Sequence, residues 1–509
     1  MGAPPIIGFA VRVGGEPPAP PTLTAAGARV AVDVSSDERG CRGWVVSPAG
    51  ESAAGGTASA EGVTVLFAGE LHHREALFAA VGTGPGSSTD AELLLACWLR
   101  YGPTGLRLLD GRFAAVVTER GAVVAATDHA GSIPLYMYAG AAGPELATEA
   151  KAFAPGSTPR GTSLPGTVPV PGVPGVHRIA AGTAVTAVPG TAVVTAMRTW
   201  CPPEHRELCS PENAVTRVAD ALDAAVRTRL DSGPITVVLS GGIDSSAVAA
   251  LAHRAGSGTA APVTTVSLGT DAGDEFNAAR LVAGHLGTHH RELQVGGDDV
   301  VRGLPWAVAA AEIVDADVLE YLLPLVALYR KLPGEPQRIL TGYGADIPLG
   351  GMHRGTAHLD PLDAVITADM AGFDGLNEMS PVLGALAGHW TTHPYWDRAV
   401  LDLLVRLEPG LKRRNGQDKW VLREAVAEML PAATVARPKL GIHEGSGTTS
   451  TWTALLRDAG VAADAVAATK RAMAEAIHRR VVRDAMPPAE VDFDDVLHDA
   501  AGPTLAVTR

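Results

Sequence analysis

The stretch ITVVLSGGIDSSAVAALAHRAG, residues 235–256, constrains the fold of this chain more than any other. A β-branched run ends in Ser-Gly-Gly-x-Asp-Ser-Ser and then turns helical. ITVVL reads as a buried strand. SSAVAALAHR reads as a helix entered through Ser and Asp, both good cap residues. Two glycines sit at the switch, where backbone must approach something closely. The bare N–H groups of a helix N-terminus make a natural anion site. The stretch therefore predicts a phosphate cradle, formed where a strand hands over to a helix. No GxxxxGK[ST] pattern occurs there, so it is not a Walker A loop.

Around this unit the chain falls into two parts. The first, 1–205, holds short alternating runs such as GAVVAAT and GTAVTAV with frequent Gly and Pro, which predicts an antiparallel, β-rich domain with a few helices such as DAELLLACWLRYG. PGSTPRGTSLPGTVPVPGVPG, 155–175, reads as a surface excursion. The second, 206–509, opens with a helix capped by Ser210 and started by Pro211. Beyond it, ITVVL, VTTVSLG, RELQV and RILTG alternate with helical segments, which implies a mostly parallel sheet with helices on both faces. Residues 360–509 read as mainly helical, with GIHEGSGTTSTW as a mobile loop. The fold class expected is α/β plus α+β, with the doubly wound parallel sheet in the second part.

Composition narrows the function. A length of 509 residues with 46% apolar and 19% charged side chains fits a soluble multidomain protein, and a net charge of −14 argues against nucleic acid or an anionic membrane surface as partner. The four cysteines form no CxxC pair, so neither a zinc nor a redox site is expected, and a reducing cytoplasm fits. MGAPPIIGFAV lacks a basic segment and a long apolar core, and no segment reaches the apolar length of a membrane span. LKRR, 411–414, reads as a solvated face. His72–His73 and His289–His290 lack a third ligand and read as structural or exposed. Oligomeric state stays open, a homodimer included.

The order Ser-Gly-Gly-x-Asp-Ser-Ser resembles the pyrophosphate loop of the ATP-pyrophosphatases, which cleave ATP to AMP and pyrophosphate while activating an oxygen of the substrate. Ser240, Gly241, Gly242, Ser245 and Ser246 would then offer donors to ATP, and Asp244 would hold Mg²⁺, a hard cation that takes oxygen ligands. RILTGYGADIPLGG, 338–351, is a second strand running into a Gly-rich turn and resembles the matching segment of the asparagine synthetase family. Asp346 is kept there and would share the Mg²⁺, and Gly342 would face ATP. Tyr343 and Ile347 stand where that family has Glu. The Tyr, together with EYLLPL, FDGLNEMSPVL, LAGHWTTHPYWDR and RPKLGIHEGSGTTS, is similar to the β-lactam synthetases, a branch of that family, over nearly the whole chain.

That resemblance implies roles for single residues. Tyr343 and Glu378 would form a catalytic dyad, with Lys439 as the cation. Lys419 would contact ATP phosphates, and the backbone at Leu268 would meet adenine. Tyr321 and Asp369 would line the substrate site, Asp369 facing a guanidinium. The first part resembles the class II glutamine amidotransferase domain of the Ntn type, an αββα fold, in FAGELHHREAL, LLDGRFAAVV and DHAGSIPLYMY. Two features depart from it: Gly2 stands at the place of the nucleophilic Cys, and Ala68-Gly69 at that of the oxyanion-hole Asn-Gly. Without nucleophile or oxyanion donor, glutamine has no route to acyl transfer. The expectation is a retained scaffold and an AMP-forming ligase that adenylates the carboxylate of a β-amino acid, N²-(2-carboxyethyl)-L-arginine, and closes a β-lactam with its own amine to give deoxyguanidinoproclavaminate. The alternatives are an amide ligase using ammonia and an inactive binding or scaffold protein.

Overall fold

The computed structural model describes residues 8–13, 28–33, 41–47, 56–82, 89–140, 143–153, 164–188, 194–230, 235–256, 263–333, 337–353, 358–373, 381–438, 440–441 and 445–502. Gly2, Glu378 and Lys439 lie outside the described residues.

The first part builds two antiparallel sheets. One runs in the order Thr167–Pro169, Val176–Ile179, Tyr136–Gly140, Gly143–Ala147, Gly8–Val13, Cys41–Ser47, Ala28–Asp33. The other runs Val194–Arg198, Thr183–Ala187, Ala122–Thr127, Gly111–Glu119, Val63–Leu71, Thr57–Ala60. Alternating side chains of Phe9, Val11, Leu66, Ala68, Val116 and Met137 meet in one buried cluster. The outer face of the second sheet is covered by helices Arg74–Val81 and Asp90–Tyr101, which bury Phe78, Leu94 and Trp98. The second of these starts on a capping box between Thr89 and Glu92. The surface excursion expected at 155–175 is interrupted by Thr167–Pro169, which pairs with Val176–Ile179, while 155–163 lies outside the described residues.

The second part is organised by a parallel sheet. We label its strands β1 (Ile235–Val238), β2 (Thr264–Thr270), β3 (His289–Val295), β4 (Arg338–Leu340) and β5 (Trp390–Thr392), in the spatial order β3-β2-β1-β4-β5. All four pairings are parallel. Its helices include α1 (Ile243–Gly256) after β1, α2 (Phe276–Leu286) after β2, α3 (Ala316–Lys331) before β4, α4 (Leu359–Gly372) and α5 (Trp420–Val426). The alternation read in the sequence is thus the observed one, and the Ser210 side chain caps the helix Pro211–Arg227 by accepting from Asn213 N. The chain leaves β1 toward β2 and β3 on one side and returns to β4 and β5 on the other. β1 and β4 therefore flank the switch point, where the carboxyl ends of strands open a crevice.

Two expectations differ. LKRR is not a solvated face: Lys412 is fully buried, and its Nζ donates to the Val405 carbonyl at 3.2 Å, near the end of the helix Arg398–Arg406. Burial pushes its pKa down to about 7. In GIHEGSGTTSTW, the described part is packed, with Ser446, Thr448 and Trp452 buried and Ser446 O accepting from Thr270 Oγ1 at 2.6 Å.

The two parts are joined by buried polar contacts. Glu70 of the first accepts from Arg338 at 2.7 Å and from Trp390 Nε1 at 2.9 Å. Arg229 Nη2 donates to His72 Nδ1 at 2.8 Å; because a guanidinium only donates, the His72 proton is on Nε2, 3.2 Å from Glu70. Arg229 also donates to Asp397 at 3.0 Å, and Asp397 lies 2.7 Å from His73 Nε2. His73 Nε2 also lies 3.9 Å from Asp110 Oδ2, so His73, Asp110 and Asp397 bring three ligand atoms together where the sequence offers no third ligand. Burial alone would raise the Glu70 carboxyl, but Arg338, His72 and Trp390 hold it well below the usual range.

A carboxyl with a lowered folded pKa contributes stability above its unfolded pKa and loses it as pH falls through the folded value. Arg338→Met removes the counter-charge and leaves Glu70 with only the neutral donors His72 and Trp390, which costs about 3–5 kcal/mol at pH 7. In that variant burial raises the Glu70 pKa, so the deficit relative to wild type shrinks on acidification to pH 5. Urea unfolding at both pH values measures this; a deficit that grows at pH 5 contradicts the pairing.

Candidate active site

The crevice at the switch point is built by three Gly-rich crossings. Gly241 has φ +74°, and a Cβ there would stand 2.4 Å from the Ala278 carbonyl carbon, so only glycine lets the loop after β1 lie against α2. The loop is then tied to itself: Ser240 N donates to Ser245 Oγ at 3.1 Å, and Gly242 N to Ser240 Oγ at 3.2 Å. Gly342, at the end of β4, crosses the first turn of α1, where a Cβ would lie 2.5 Å from Ser245 N and 2.7 Å from the Asp244 carbonyl carbon. Gly351 stands against Asp346 and Lys419, with a Cβ position 2.5 Å from Lys419 Cε.

These crossings bring together Asp244 from α1, Asp346 from the turn after β4, and Lys419 before α5. The fully buried Lys419 Nζ lies 2.5 Å from Asp244 Oδ2 and 2.6 Å from Asp346 Oδ1. Lys419 itself is left-handed, at φ 57° and ψ 33°. Tyr395 donates its hydroxyl to the Asp244 carbonyl at 3.2 Å. Burial, with Asp244 and Asp346 nearby, raises the Tyr395 pKa well above the usual phenol value, so it stays a neutral donor.

Tyr343 follows Gly342, half-buried and packed against both neighbouring hydrophobic clusters. Its N–H donates to Thr341 Oγ1 at 3.2 Å, Thr341 Oγ1 lies 2.5 Å from His393 Nδ1, and the His393 ring meets the Tyr343 ring edge-on with centroids 6.1 Å apart. β2 extends past β1: its pairing with β1 stops at Val266, whereas that with β3 continues to Thr270. The backbone at Leu268 therefore lies beside the loop after β1. Asp369 on α4 pairs with His353 Nε2 at 2.7 Å, and His353 lies in the turn that follows the short helix Asp346–Leu349. Tyr321 on α3 is 46% exposed rather than core.

The sequence reading missed three neighbours. Arg437 donates to Ser240 O at 3.2 Å and to Glu275 at 2.8 Å, and Arg423 donates to backbone carbonyls around Lys419 and Arg437. Arg437 and Tyr395 stand inside RPKLG and HPYWDR, strings already singled out, so the signal was present in the motif but not assigned. Arg423 in KWVLR carries none that distinguishes it from a surface helix arginine.

A model of the asparagine synthase family matches residues 217–373 and 384–495, and one of the glutamine amidotransferase domain matches residues 53–155. The chain belongs to the asparagine synthase family, whose members are ATP-dependent ligases that form C–N bonds, and this chain is such a ligase. Within the family it is similar to the carboxyethyl-arginine beta-lactam-synthase of Streptomyces clavuligerus, 48% identical over 513 residues that cover 99% of each chain. Similarity to asparagine synthetase B [glutamine-hydrolyzing] of Escherichia coli strain K12 is more distant, 26% over 405 residues covering 74% of this chain and 69% of the relative. The asparagine synthetase [glutamine-hydrolyzing] 2 of Oryza sativa subsp. japonica stands at the same 26%, over 76% of this chain and 66% of its own. No helix among the described residues is long and apolar enough to cross a membrane.

Gly342→Ala tests the crossing. The added methyl must push the end of β4 off α1, and a displacement of about 1 Å at a positioned site costs about 10²-fold. Affinity for Mg·ATP, read by calorimetry, should fall at least tenfold. Wild-type affinity in this variant would show that the close approach is not required.

Proposed function

We propose that the chain is a β-lactam synthetase: it adenylates the β-carboxylate of N²-(2-carboxyethyl)-L-arginine and then closes the four-membered lactam with the secondary amine of the same molecule. The observation that carries this is Tyr343 at the switch point, where glutamine-dependent relatives would need a carboxylate, in a chain 48% identical end to end to a β-lactam synthase. A carboxylate resists attack by an amine because its oxygen leaves poorly. Its attack on the α-phosphorus of ATP breaks the bond to pyrophosphate and makes AMP the later leaving group. Substrate and ATP then give lactam, AMP and pyrophosphate.

The roles proposed for the described residues draw on their positions, and those of Glu378 and Lys439 on the resemblance alone. Ser240, Gly241, Gly242, Ser245 and Ser246 bind the pyrophosphate through the loop and the first turn of α1. Lys419 supplies a cation to the phosphates, and Gly342 keeps β4 close to them. The backbone at Leu268 is the adenine contact. Asp244 and Asp346 fit a magnesium ion, since both are hard oxygen donors held near enough to share one cation. Magnesium, when bound, neutralises charge developing on the leaving pyrophosphate. Asp369, already engaged with an imidazole N–H, receives the guanidinium, with Tyr321 beside it. Tyr343, oriented by Glu378, takes the proton of the attacking amine, and Lys439 offsets charge on the tetrahedral oxygen. Residues 1–205, with Gly2 and Ala68 in place of nucleophile and oxyanion donor, act as scaffold. The chain works in the cytoplasm, as monomer or homodimer, without nucleic acid or membrane.

Mass spectrometry of a reaction with carboxyethylarginine and MgATP tests the reading. The expected product is the substrate less one water, with AMP and pyrophosphate formed in equal amount, and glutamine should yield no glutamate. An amide formed only when ammonia is added would favour the asparagine-synthetase-like reading, and glutamate release would overturn the scaffold role.

Tyr343→Phe separates the two half-reactions. It should slow lactam formation by about 10²–10⁴-fold, the usual size of general acid–base catalysis. ATP–pyrophosphate exchange should persist. Ring closure at the wild-type rate would remove Tyr343 from the chemistry.

A further inference from the structure

The peptide groups on both sides of Lys419 are held by one residue, the Lys419 carbonyl by its backbone and the Asp418 carbonyl by its side chain. Arg423, 3% exposed, donates its backbone N–H to Lys419 O at 3.1 Å and its Nε to Asp418 O at 2.7 Å. Its Nη2 donates to Arg437 O at 3.0 Å, and its Nη1 to Val435 O. Every side-chain hydrogen bond of Arg423 among the described residues thus ends on a backbone carbonyl, while the neighbouring Asp418 carboxylate goes to Arg413 at 2.6 Å. The guanidinium is not there to pair a charge. It presents N–H groups in several directions from a rigid plane, which a single ammonium cannot do. Arg437 carries the connection on, to Ser240 O at 3.2 Å and Glu275 at 2.8 Å.

What this holds in place is an unfavourable conformation. Lys419 is non-glycine at φ 57°, and such residues persist only where their surroundings over-determine them. In this conformation its ammonium stands between Asp244 and Asp346. We infer that Arg423 is a positioning residue: by tying the Asp418–Lys419 peptide to the backbone at Val435 and Arg437 through its guanidinium, it fixes the left-handed turn and sets the Lys419 ammonium in register with the pyrophosphate loop. The inference rests on the reading of Lys419 as a phosphate contact.

A double-mutant cycle tests it, with calorimetric affinity for magnesium α,β-methylene-ATP as the readout. Lys419→Ala and Arg423→Lys should each weaken binding about 10- to 100-fold. If Arg423 acts through Lys419, the double variant should bind no more than about twofold worse than Lys419→Ala alone. Losses that multiply would overturn the inference and leave Arg423 a merely structural residue. Should Arg423→Lys fail to fold, Arg437→Gln loosens the same connection one link further out, with the same non-additivity expected and the same outcome excluding it. A wild-type chain that binds no nucleotide would instead defeat the functional reading, and with it the role given to Lys419. Binding with a multiplicative cycle defeats the positioning role alone.

Discussion

The buried ammonium of Lys419, shared by Asp244 and Asp346, is the contact on which the second half of the chain depends. Its three members come from the helix after β1, the turn after β4 and the residue before α5. An ammonium taken out of water loses several kcal/mol of hydration, and only close carboxylates repay it. That requirement explains the small residues around it. A side chain at Gly342 would separate the Asp244 turn from β4, and one at Gly351 would occupy the space of the lysine stem. The arrangement also holds two carboxylates side by side, whose repulsion would otherwise part them, and keeps them near the loop that receives phosphate.

Much of this was legible in the sequence because its causes are local. A β-branched run, two glycines and a capped helix define a strand–loop–helix unit without reference to the rest of the chain, and repetition of that unit defines a parallel sheet. Sequence could also place Asp244 and Asp346 on such units. It could not read Lys412, because the need it meets is a carbonyl near the end of the helix Arg398–Arg406, and carbonyls have no letter in the sequence. Arg423 escaped for the same reason: all of its partners are backbone. The packing of Ser446 against Thr270 was hidden by a composition rich in Gly, Ser and Thr, which describes an exposed loop as well as a buried one. In the sequence His72 and His73 read as structural or exposed for want of a third ligand, because the groups that meet them, Arg229 at His72 and Asp110 and Asp397 at His73, are distant in the chain.

Those distant pairings bear on what the first half contributes under the scaffold role proposed for it. Glu70, next to Ala68-Gly69, bonds Arg338 and Trp390, the first residues of β4 and β5. The same two strands lead on to Tyr343 and His393, which lie just past their ends and meet edge-on. The first half thus grips the starting ends of the two strands whose far ends carry the candidate base and its neighbour. A second tie is made by Glu312, which is left-handed at φ 52° and accepts from the N–H groups of Ala150 and Lys151 while pairing with the Lys151 ammonium. Each contact places a charge from one half against a partner in the other, with both members largely removed from water, so separating the halves would strand the Arg338 guanidinium and the Glu312 carboxylate without these partners. On this account the scaffold role proposed for residues 1–205 has a definite mechanical content: it fixes the origin of β4 and β5, and with it where Tyr343 stands relative to the pyrophosphate loop.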